Sequence, residues 1–458
     1  MDGRGTRKDG SAQKTARKAA FNVLNRVFGA GAYADIVLDR EMEGLKPVDR
    51  ALATEITYGV LRWWMRLDWI IDAFSSIKTK KLETRVLNAL RIGTYQILFL
   101  TRMPLSAAVN ESVKLVKGPD RKKAGFVNAV LRSVAGRVDE VRFPDMEREP
   151  VIHLSVFYSH PQWMVRRWVE RYGVTGTVEL LSANNAAPPR TLRVNTLVTT
   201  REGLKGELED AGFKVRETRY SPLGLTVTGG GGAGYLSPRD KRFYIQDEAS
   251  QVVPLLLSPS PGERVLDACS APGGKTTQMA ALMENRGIIY AVDRRGGRLK
   301  QVKDAAGRFG IKIIKTVEAD SSEERFLRPY GDGPFDAVLL DAPCSGLGVL
   351  RRSPDIRIRS GEEALEGLRA AQKRLINNVS GYLKKGGRLV YSVCTLEPEE
   401  TDEVIRWFLA GRKDFALERA DTYLTGMLKE LVDEEGFLRT LPHRHGTDGF
   451  FAARLKKT

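Results

Sequence analysis

Two short segments of this chain hold two of its three cysteines, and each begins where a run of apolar residues ends. Residues 341–346 read Asp-Ala-Pro-Cys-Ser-Gly and residues 391–395 read Tyr-Ser-Val-Cys-Thr, which places Cys344 and Cys394 50 positions apart. The apolar runs predict two strands that end at the same edge of a sheet, where α/β proteins bind their ligands. Both thiols are therefore candidates for sulfur chemistry.

A third segment, residues 267–276, also follows an apolar run and precedes a helical pattern. It reads Asp-Ala-Cys-Ser-Ala-Pro-Gly-Gly-Lys-Thr. Glycines let the backbone approach a ligand closely, and the start of a helix presents free N–H groups. The segment predicts a cofactor loop.

Acidic residues stand at the ends of four successive predicted strands: Asp267, Asp293, Asp320 and Asp341. One such aspartate usually closes a turn or caps a helix. Four at corresponding places predict a crevice for an adenosine-bearing cofactor, with Asp293 placed to bind ribose hydroxyls. An acidic crevice favours S-adenosylmethionine over a dinucleotide, because its sulfonium is cationic and it carries no pyrophosphate.

A methyl donor, two thiols and a basic chain together indicate methylation of a pyrimidine carbon. Carbon 5 of cytosine is a poor nucleophile until a thiolate adds to carbon 6, so a covalent intermediate replaces one difficult step by two easier ones. A base must then remove the carbon-5 proton before the thiol leaves. Spacing alone does not decide which of Cys344 and Cys394 attacks.

Composition limits the remaining possibilities. The chain has 458 residues, of which 42% are hydrophobic and 28% charged, so we expect about three folded domains. Three cysteines make no disulfide framework and favour a reducing compartment. Without a signal-like apolar segment or a membrane-length apolar run, the chain is expected to be cytoplasmic. Four scattered histidines predict no metal site.

The net charge of +16 favours a polyanionic partner. Residues 78–132 concentrate this charge, with twelve Lys and Arg against three acidic residues. A solvated domain surface is the competing explanation, and a membrane surface is a weaker one because no single amphipathic helix holds the charge. We predict nucleic-acid binding by this segment.

The periodicity of apolar residues predicts three regions with different folds. Residues 14–135 are expected to be all helical, with Val23, Val27, Val48, Ile56 and Val60 in the core. Residues 189–228 mix strands with one helix, which is typical of a small α+β module. From about residue 243 strands alternate with helices, which predicts a mostly parallel sheet covered on both faces. The expected strands of that sheet are residues 264–267, 287–292, 311–317, 335–340 and 388–391.

The acidic cluster of residues 397–400 directly follows Cys394 and precedes a helical pattern. Carboxylates at the start of a helix interact favourably with the positive end of its dipole. We interpret this cluster as helix capping.

The three motifs around the cysteines closely resemble those of the Nol1/Nop2/Sun family of RNA 5-methylcytosine methyltransferases. The resemblance implies that Cys394 is the nucleophile and that Cys344 assists release of the methylated base. It also implies that Asp293, Asp320 and Asp341 contact the cofactor together with the loop Cys269, Ser270, Ala271, Pro272, Gly273, Gly274 and Lys275. Cys269 is expected to be a small buried residue of which only the backbone faces the cofactor.

The N-terminal helical region looks like the RNA-binding antitermination factor NusB, through residues 49–53 and 126–132. This combination implies methylation of a cytosine in small-subunit (16S) ribosomal RNA. We expect the chain to be a monomer. The implied domains are a NusB-like domain (1–140), an α+β RNA-recognition module (141–242) and a Rossmann-like methyltransferase domain (243–458). A transfer-RNA methyltransferase and a non-catalytic RNA-binding factor remain the alternatives.

Overall fold

The computed structural model describes residues 14–118, 121–231, 236–328 and 333–458. The chain divides into two compact units. The first comprises Met1–Val178 together with Ser353–Arg359, and the second comprises Glu179–Arg352 and Ser360–Thr458.

The first unit is built from helices, which confirms the all-α prediction. Its helices are α1 (Ala16–Ala30), α2 (Ala34–Glu41), α3 (Pro47–Phe74), α4 (Thr84–Phe99), α5 (Leu105–Leu115), α6 (Arg121–Arg137), α7 (Pro150–Tyr158) and the first part of α8 (Gln162–Asn185). Helix α8 breaks at Gly173, where φ is +69°.

Helix α1 shows why this sequence forms helices. The Thr15 side chain accepts a hydrogen bond from the Lys18 amide at 3.2 Å and caps the start, and Gly31 ends the helix at φ +63°. Val23 and Val27 lie on its buried face, in one cluster with side chains of α3 and α4. Burial of each such side chain stabilises the fold by roughly 1.5–3 kcal/mol.

One predicted core position of this region is wrong. Val48 is 81% exposed, whereas Ile56 and Val60 are fully buried as expected. Val48 is the second residue of α3, and the buried positions of that helix begin only at Ala53. The helical spacing is therefore correct, but the first turn of α3 extends beyond the core.

Part of the basic segment 78–132 is internal. Arg91 is 5% exposed, and its Nε and a terminal nitrogen each donate to Asp68 at 2.7 Å. Lys123 pairs with Glu83 at 2.5 Å on the surface. This segment therefore offers an outside partner less positive charge than its composition suggests.

A small antiparallel sheet lies at the start of the second unit, as predicted for the α+β module. Its strands are β1 (Arg190–Val194), β2 (Phe213–Glu217), β3 (Gly224–Gly230) and β4 (Phe243–Ile245), with α9 (Arg201–Asp210) between β1 and β2. The strand order is β2-β3-β1-β4.

The larger sheet has a parallel centre, and it confirms the Rossmann-like prediction. Its strands are β5 (Arg264–Asp267), β6 (Ile288–Asp293), β7 (Ile314–Glu318), β8 (Phe335–Asp341), β9 (Leu383–Val393), β10 (Phe415–Glu418), β11 (Leu438–Thr440) and β12 (Phe450–Lys457). The order is β10-β12-β9-β8-β5-β6-β7, with β11 beside β12. Strands β5 to β9 pair in parallel, and β12 runs antiparallel to β9.

The remaining helices of the chain are α10 (Glu248–Leu257), α11 (Gly274–Leu282), α12 (Gly296–Phe309), α13 (Ile356–Arg359), α14 (Ala364–Ser380), α15 (Asp402–Gly411) and α16 (Pro442–His445). Helix α13 belongs to the first unit. Both faces of the large sheet are covered: Val265 and Leu339 pack with residues of α10 and α11, and Leu266 and Leu340 pack with residues of α14.

Among the helices of the described residues, none has the length and apolar character needed to cross a membrane. In the same part of the chain, no three His, Cys, Asp or Glu side chains gather in a way that could hold a metal ion.

Candidate active site

The parallel strands bring the predicted site residues to one edge of the large sheet. Strands β5, β6 and β8 end at Asp267, Asp293 and Asp341, and β9 ends one residue before Cys394. Strand β7 ends at Glu318, two residues before Asp320. Because parallel strands share a carboxyl edge, these side chains all start from one rim.

The cofactor loop follows β5 and is held by backbone contacts to β6. The Ser270 amide donates to the Val292 carbonyl at 2.8 Å. Gly273 adopts φ +100°, and a Cβ there would lie 3.1 Å from the backbone Cα of Val302. Glycine is needed at this position for both reasons, and it lets α11 begin directly beneath the loop.

A chain of polar contacts joins the loop to β8 and β9. The Lys275 ammonium donates to Asp341 Oδ2 at 2.7 Å, and the Ser392 hydroxyl donates to Asp341 Oδ1 at 2.7 Å. Behind them, the Thr276 hydroxyl donates to Asp267 Oδ2 at 2.6 Å. Asp341 is thus fixed by both neighbouring segments.

A cavity of about 200 Å³ opens at this point. It is lined by loop residues 269–272, 274 and 275 together with Asp267 and Asp341. Tyr244 of β4, Ser250 of α10 and Gln246 between these two elements complete the wall. Gly274 also faces this wall, since a Cβ on it would lie 3.3 Å from the Tyr244 ring. Strand β4, which lies at the edge of the small sheet, therefore forms the wall of the cavity opposite the cofactor loop.

All four predicted aspartates act electrostatically on Cys269. Burial raises the pKa of the Cys269 thiol, and the charges of Asp267, Asp341, Asp293 and Asp320 raise it further. Cys269 therefore stays a neutral thiol. Asp293 Oδ1 accepts from the Arg295 amide at 2.9 Å, and Asp320 Oδ1 accepts from the Ser322 amide at 2.8 Å.

Asp267 provides a pH-dependent contribution to stability. Burial raises its pKa from 3.8 to about 7, and the Thr276 hydrogen bond opposes this shift. Between these two pH values the folded chain holds a proton that the unfolded chain has lost. The free energy of unfolding therefore falls by up to about 1.4 kcal/mol per pH unit as pH rises toward 7.

We expect Asp267→Asn to remove this dependence. Urea unfolding at pH 5, 6, 7 and 8 should show the parent chain losing stability relative to the variant up to about pH 7 and then levelling. Asp320→Asn is the matched control, because the hydrogen bonds of Ser322 lower the pKa of Asp320 and its effect should be constant over this range. Parallel pH profiles for the parent and Asp267→Asn would contradict the assignment.

The two rim cysteines come together. The Cys344 and Cys394 sulfur atoms lie 3.3 Å apart, and both residues are half-buried. The hydrogen bond to Cys394, burial and the charges of Cys394 and Glu400 raise the pKa of the Cys344 thiol well above its ordinary value. Cys344 therefore tends to keep its proton, and its S–H can donate toward the Cys394 sulfur atom.

The segment after Cys344 is clamped to its surroundings. The Gly348 amide donates to the Cys394 carbonyl at 3.0 Å, and a Cβ on Gly348 would lie 2.0 Å from the Gly449 carbonyl oxygen. Arg351 and Arg352 come next in the chain. Each of them contacts both Asp247 and Asp448 at 2.5–3.1 Å, and all four side chains are buried or half-buried. The Gly348 hydrogen bond joins this segment to Cys394, and the ion pairs join it to the segments before α10 and β12.

The capping interpretation of residues 397–400 is wrong for Glu400. Helix α15 begins only at Asp402, and the Glu400 side chain is fully buried. Its carboxylate accepts from the Ser345 amide at 2.8 Å, the Ser345 hydroxyl at 2.5 Å and the Gln372 amide at 2.9 Å. Local sequence holds no signal for this, because the partners come from two distant elements.

Sequence reasoning also missed Arg193 of β1, which is fully buried. Its guanidinium donates to Gln246 Oε1 at 2.6 Å, to the Gly274 carbonyl and to Thr277 Oγ1 at 2.9 Å. Burial lowers the pKa of Arg193 to about 9, so it remains a cation at neutral pH. The available signal was an arginine within an otherwise apolar strand.

Three family models match separate parts of the chain. The model described as 16S rRNA methyltransferase RsmB/F matches residues 254–456, and the NusB family model matches residues 14–136. The RsmF/B-like methyltransferase ferredoxin-like domain matches residues 160–232.

Individual proteins match over almost the whole chain. Probable ribosomal RNA small subunit methyltransferase B from Bacillus subtilis (strain 168) is 34% identical over 451 residues, which cover 97% of this chain and 99% of the relative. The crystal structure of PH0851 is 30% identical with a TM-score of 0.77 and covers 97% of this chain and 98% of its own. The crystal structure of NSun6 from Pyrococcus horikoshii with SFG is 25% identical with a TM-score of 0.56. The match covers 65% of this chain and 98% of the NSun6 chain. The chain therefore belongs to the RsmB/F family of 16S rRNA methyltransferases, with a NusB-family region ahead of its methyltransferase domain.

Proposed function

We propose that the chain uses S-adenosylmethionine to methylate carbon 5 of a cytosine in 16S ribosomal RNA through a covalent cysteine–cytosine intermediate. The observation that carries this proposal is the pair of half-buried thiols 3.3 Å apart, directly beyond Asp341 of the acidic cavity. Membership of the RsmB/F family supports ribosomal RNA as the substrate. The thiol pair supports carbon 5 as the target, because methylation of a ring nitrogen needs no covalent nucleophile.

The residues of the cavity fit S-adenosylmethionine. Asp267 Oδ1 is buried and has no hydrogen-bond partner within the described residues, so this oxygen is available to a cationic ligand group. Asp341 adds a second carboxylate to the wall, and Gly274 has no side chain to fill the space beside Tyr244. When bound, S-adenosylmethionine supplies an electron-poor methyl group on a cationic sulfur.

The two thiols have different roles at the cytosine, since Cys394 forms the covalent bond and Cys344 assists its release. The Cys394 thiolate forms a bond to carbon 6, and the electron pair of the ring double bond moves to carbon 5, which becomes nucleophilic. After carbon 5 has been methylated, a base removes its proton and the pair returns to the ring as the bond to Cys394 breaks. Cys344 lies beside Cys394 and is the group proposed to assist this release.

The substrate RNA must deliver its target base out of the stack, at a cost of roughly a few kcal/mol. We assign the NusB-like region (1–140) and the α+β module (141–242) to RNA binding and residues 243–458 to catalysis, in a monomer. The net charge of +16 supports such a partner.

Base mapping tests the proposal. The full chain is incubated with S-adenosylmethionine and unmodified 16S ribosomal RNA, both naked and in small-subunit particles, and with transfer RNA as the competing substrate. Nuclease digestion and mass spectrometry should find 5-methylcytidine in the ribosomal RNA alone. Methylation of transfer RNA alone would favour the transfer-RNA methyltransferase, and no methylation of any RNA would favour a non-catalytic RNA-binding factor.

A further inference from the structure

Glu400 sits where the two cysteine segments meet. Its carboxylate binds the backbone and the hydroxyl of Ser345, the residue after Cys344, at 2.8 and 2.5 Å. The same Ser345 hydroxyl lies 2.8 Å from the hydroxyl of Thr395, the residue after Cys394. A single buried side chain is thus linked to both loops, directly at Ser345 and through the Ser345 hydroxyl at Thr395.

Further contacts hold Glu400 in this place. Gln372 of α14 donates to Glu400 Oε1 at 2.9 Å and to the Pro343 carbonyl at 3.0 Å. The Tyr391 hydroxyl donates to the Glu400 backbone carbonyl at 2.7 Å. The side chain of Glu400 is therefore tied to the Cys344 loop and to α14, and its main chain is tied to β9, which leads into Cys394.

The contacts to this carboxylate are donors, which favours its ionised form. Burial raises the pKa of Glu400, but hydrogen bonds from Ser345, Gln372 and Thr395 oppose that shift. A buried negative charge makes ionisation of a nearby thiol costly, and Glu400 is one cause of the raised pKa of Cys344.

The other titratable groups around the pair do not replace Glu400. Burial raises the pKa of Tyr391 well above its usual range, so it stays neutral beside Cys344. Asp341 precedes Cys344 by three residues, and its charge is paired with the Lys275 ammonium. The residue that α14 presents here, Gln372, is uncharged.

We infer that Glu400 is a positioning residue that holds the two cysteine segments together and sets a buried carboxylate beside the Cys344 loop. The inference deepens the proposed function, on which the meaning of the two thiols rests. A protonated Cys344 leaves Cys394 as the attacking thiolate, and the tie through Ser345 and Thr395 keeps the sulfur atoms at a distance at which a proton can be shared.

Alkylation of the thiols tests this inference without RNA or cofactor. In the Cys394→Ser background, iodoacetamide labelling of Cys344 is followed by peptide mass spectrometry from pH 6 to 10. Glu400→Gln removes the charge with little change of shape and should speed Cys344 labelling at pH 7 about tenfold, which corresponds to a midpoint about one pH unit lower. Glu400→Asp keeps the charge and should leave the midpoint near that of the parent. An unchanged Cys344 midpoint in folded Glu400→Gln protein overturns the inference.

A second variant covers the case in which Glu400→Gln does not fold. Ser345→Ala removes the hydroxyl that joins Glu400 to Thr395 and leaves the carboxylate in place. In protein that remains folded at the assay temperature, it should slow covalent trapping on RNA containing 5-fluorocytosine about tenfold; unchanged trapping overturns the inference. If the parent chain itself traps no RNA, the proposed function fails, whereas the labelling result still reports on Glu400.

Discussion

Replacement of Cys394 by alanine is expected to abolish methylation, with a loss of about 10⁴-fold or more, and to abolish covalent trapping on RNA that contains 5-fluorocytosine. Without the thiolate, carbon 5 cannot be activated. Replacement of Cys344 by alanine is expected to slow turnover by roughly 10²–10⁴-fold and to accumulate the covalent adduct, because bond formation to carbon 6 remains and release is lost. Denaturing gels with labelled RNA measure the adduct, and mass spectrometry measures 5-methylcytidine.

Cys269→Ala is the control for loss of a thiol as such. Cys269 is a neutral thiol at the cofactor loop, so this variant should still form the adduct. The opposite pattern, with trapping by Cys394→Ala and none by Cys344→Ala, would show that Cys344 attacks. The proximity of the two sulfur atoms, 3.3 Å, makes this comparison informative, since either thiol can reach the same carbon.

Asp341→Asn is expected to lower the rate of methylation by roughly 10²–10³-fold at saturating RNA. Asp341 both lines the cofactor cavity and leads into the Cys344 loop, and its side chain is 30% exposed. We expect its carboxylate to accept hydrogen bonds from the cytosine edge while the thiolate adds to carbon 6. An amide of the same size removes the charge that stabilises a protonated ring.

Single-turnover rates of adduct formation measure the contact between Asp341 and the cytosine, and they separate it from an effect of the substitution on the cofactor cavity. Ser392→Ala is the matched control, because it removes the 2.7 Å hydrogen bond to Asp341 Oδ1 and keeps the carboxylate and its Lys275 partner. It should cost less than about tenfold. If Asp341→Asn and Ser392→Ala reduce adduct formation equally, Asp341 acts only by fixing the loop.

Local patterns were sufficient for most of the fold. The spacing of apolar residues predicted the N-terminal helices, and the alternation of strands and helices predicted the parallel sheet, including β5 at residues 264–267. Periodicity reports which side of an element is buried, so it works wherever the element lies fully against a core. Val48 shows the limit, because spacing does not reveal where along a helix the core begins.

The candidate site was predictable in its residue types and its edge of the sheet. The strand ends and the loops that directly follow them hold the four aspartates and both cysteines, and parallel strands must share a carboxyl edge. Arg193 was not predictable in this way, since its contact to the Gly274 carbonyl spans 81 residues. A buried cation is explained only by the acceptors that the tertiary fold brings to it.

The sequence by itself determined that two thiols follow strands that end at the same edge of a sheet, above an acidic crevice. It did not distinguish the thiols, because each lies in the same kind of loop. Only the tertiary structure placed the sulfur atoms 3.3 Å apart and brought Glu400 across 55 residues to Ser345, beside Cys344. The physical reason is that the ionisation of a buried thiol depends on charges and hydrogen bonds in space, and neighbours in the chain do not report these.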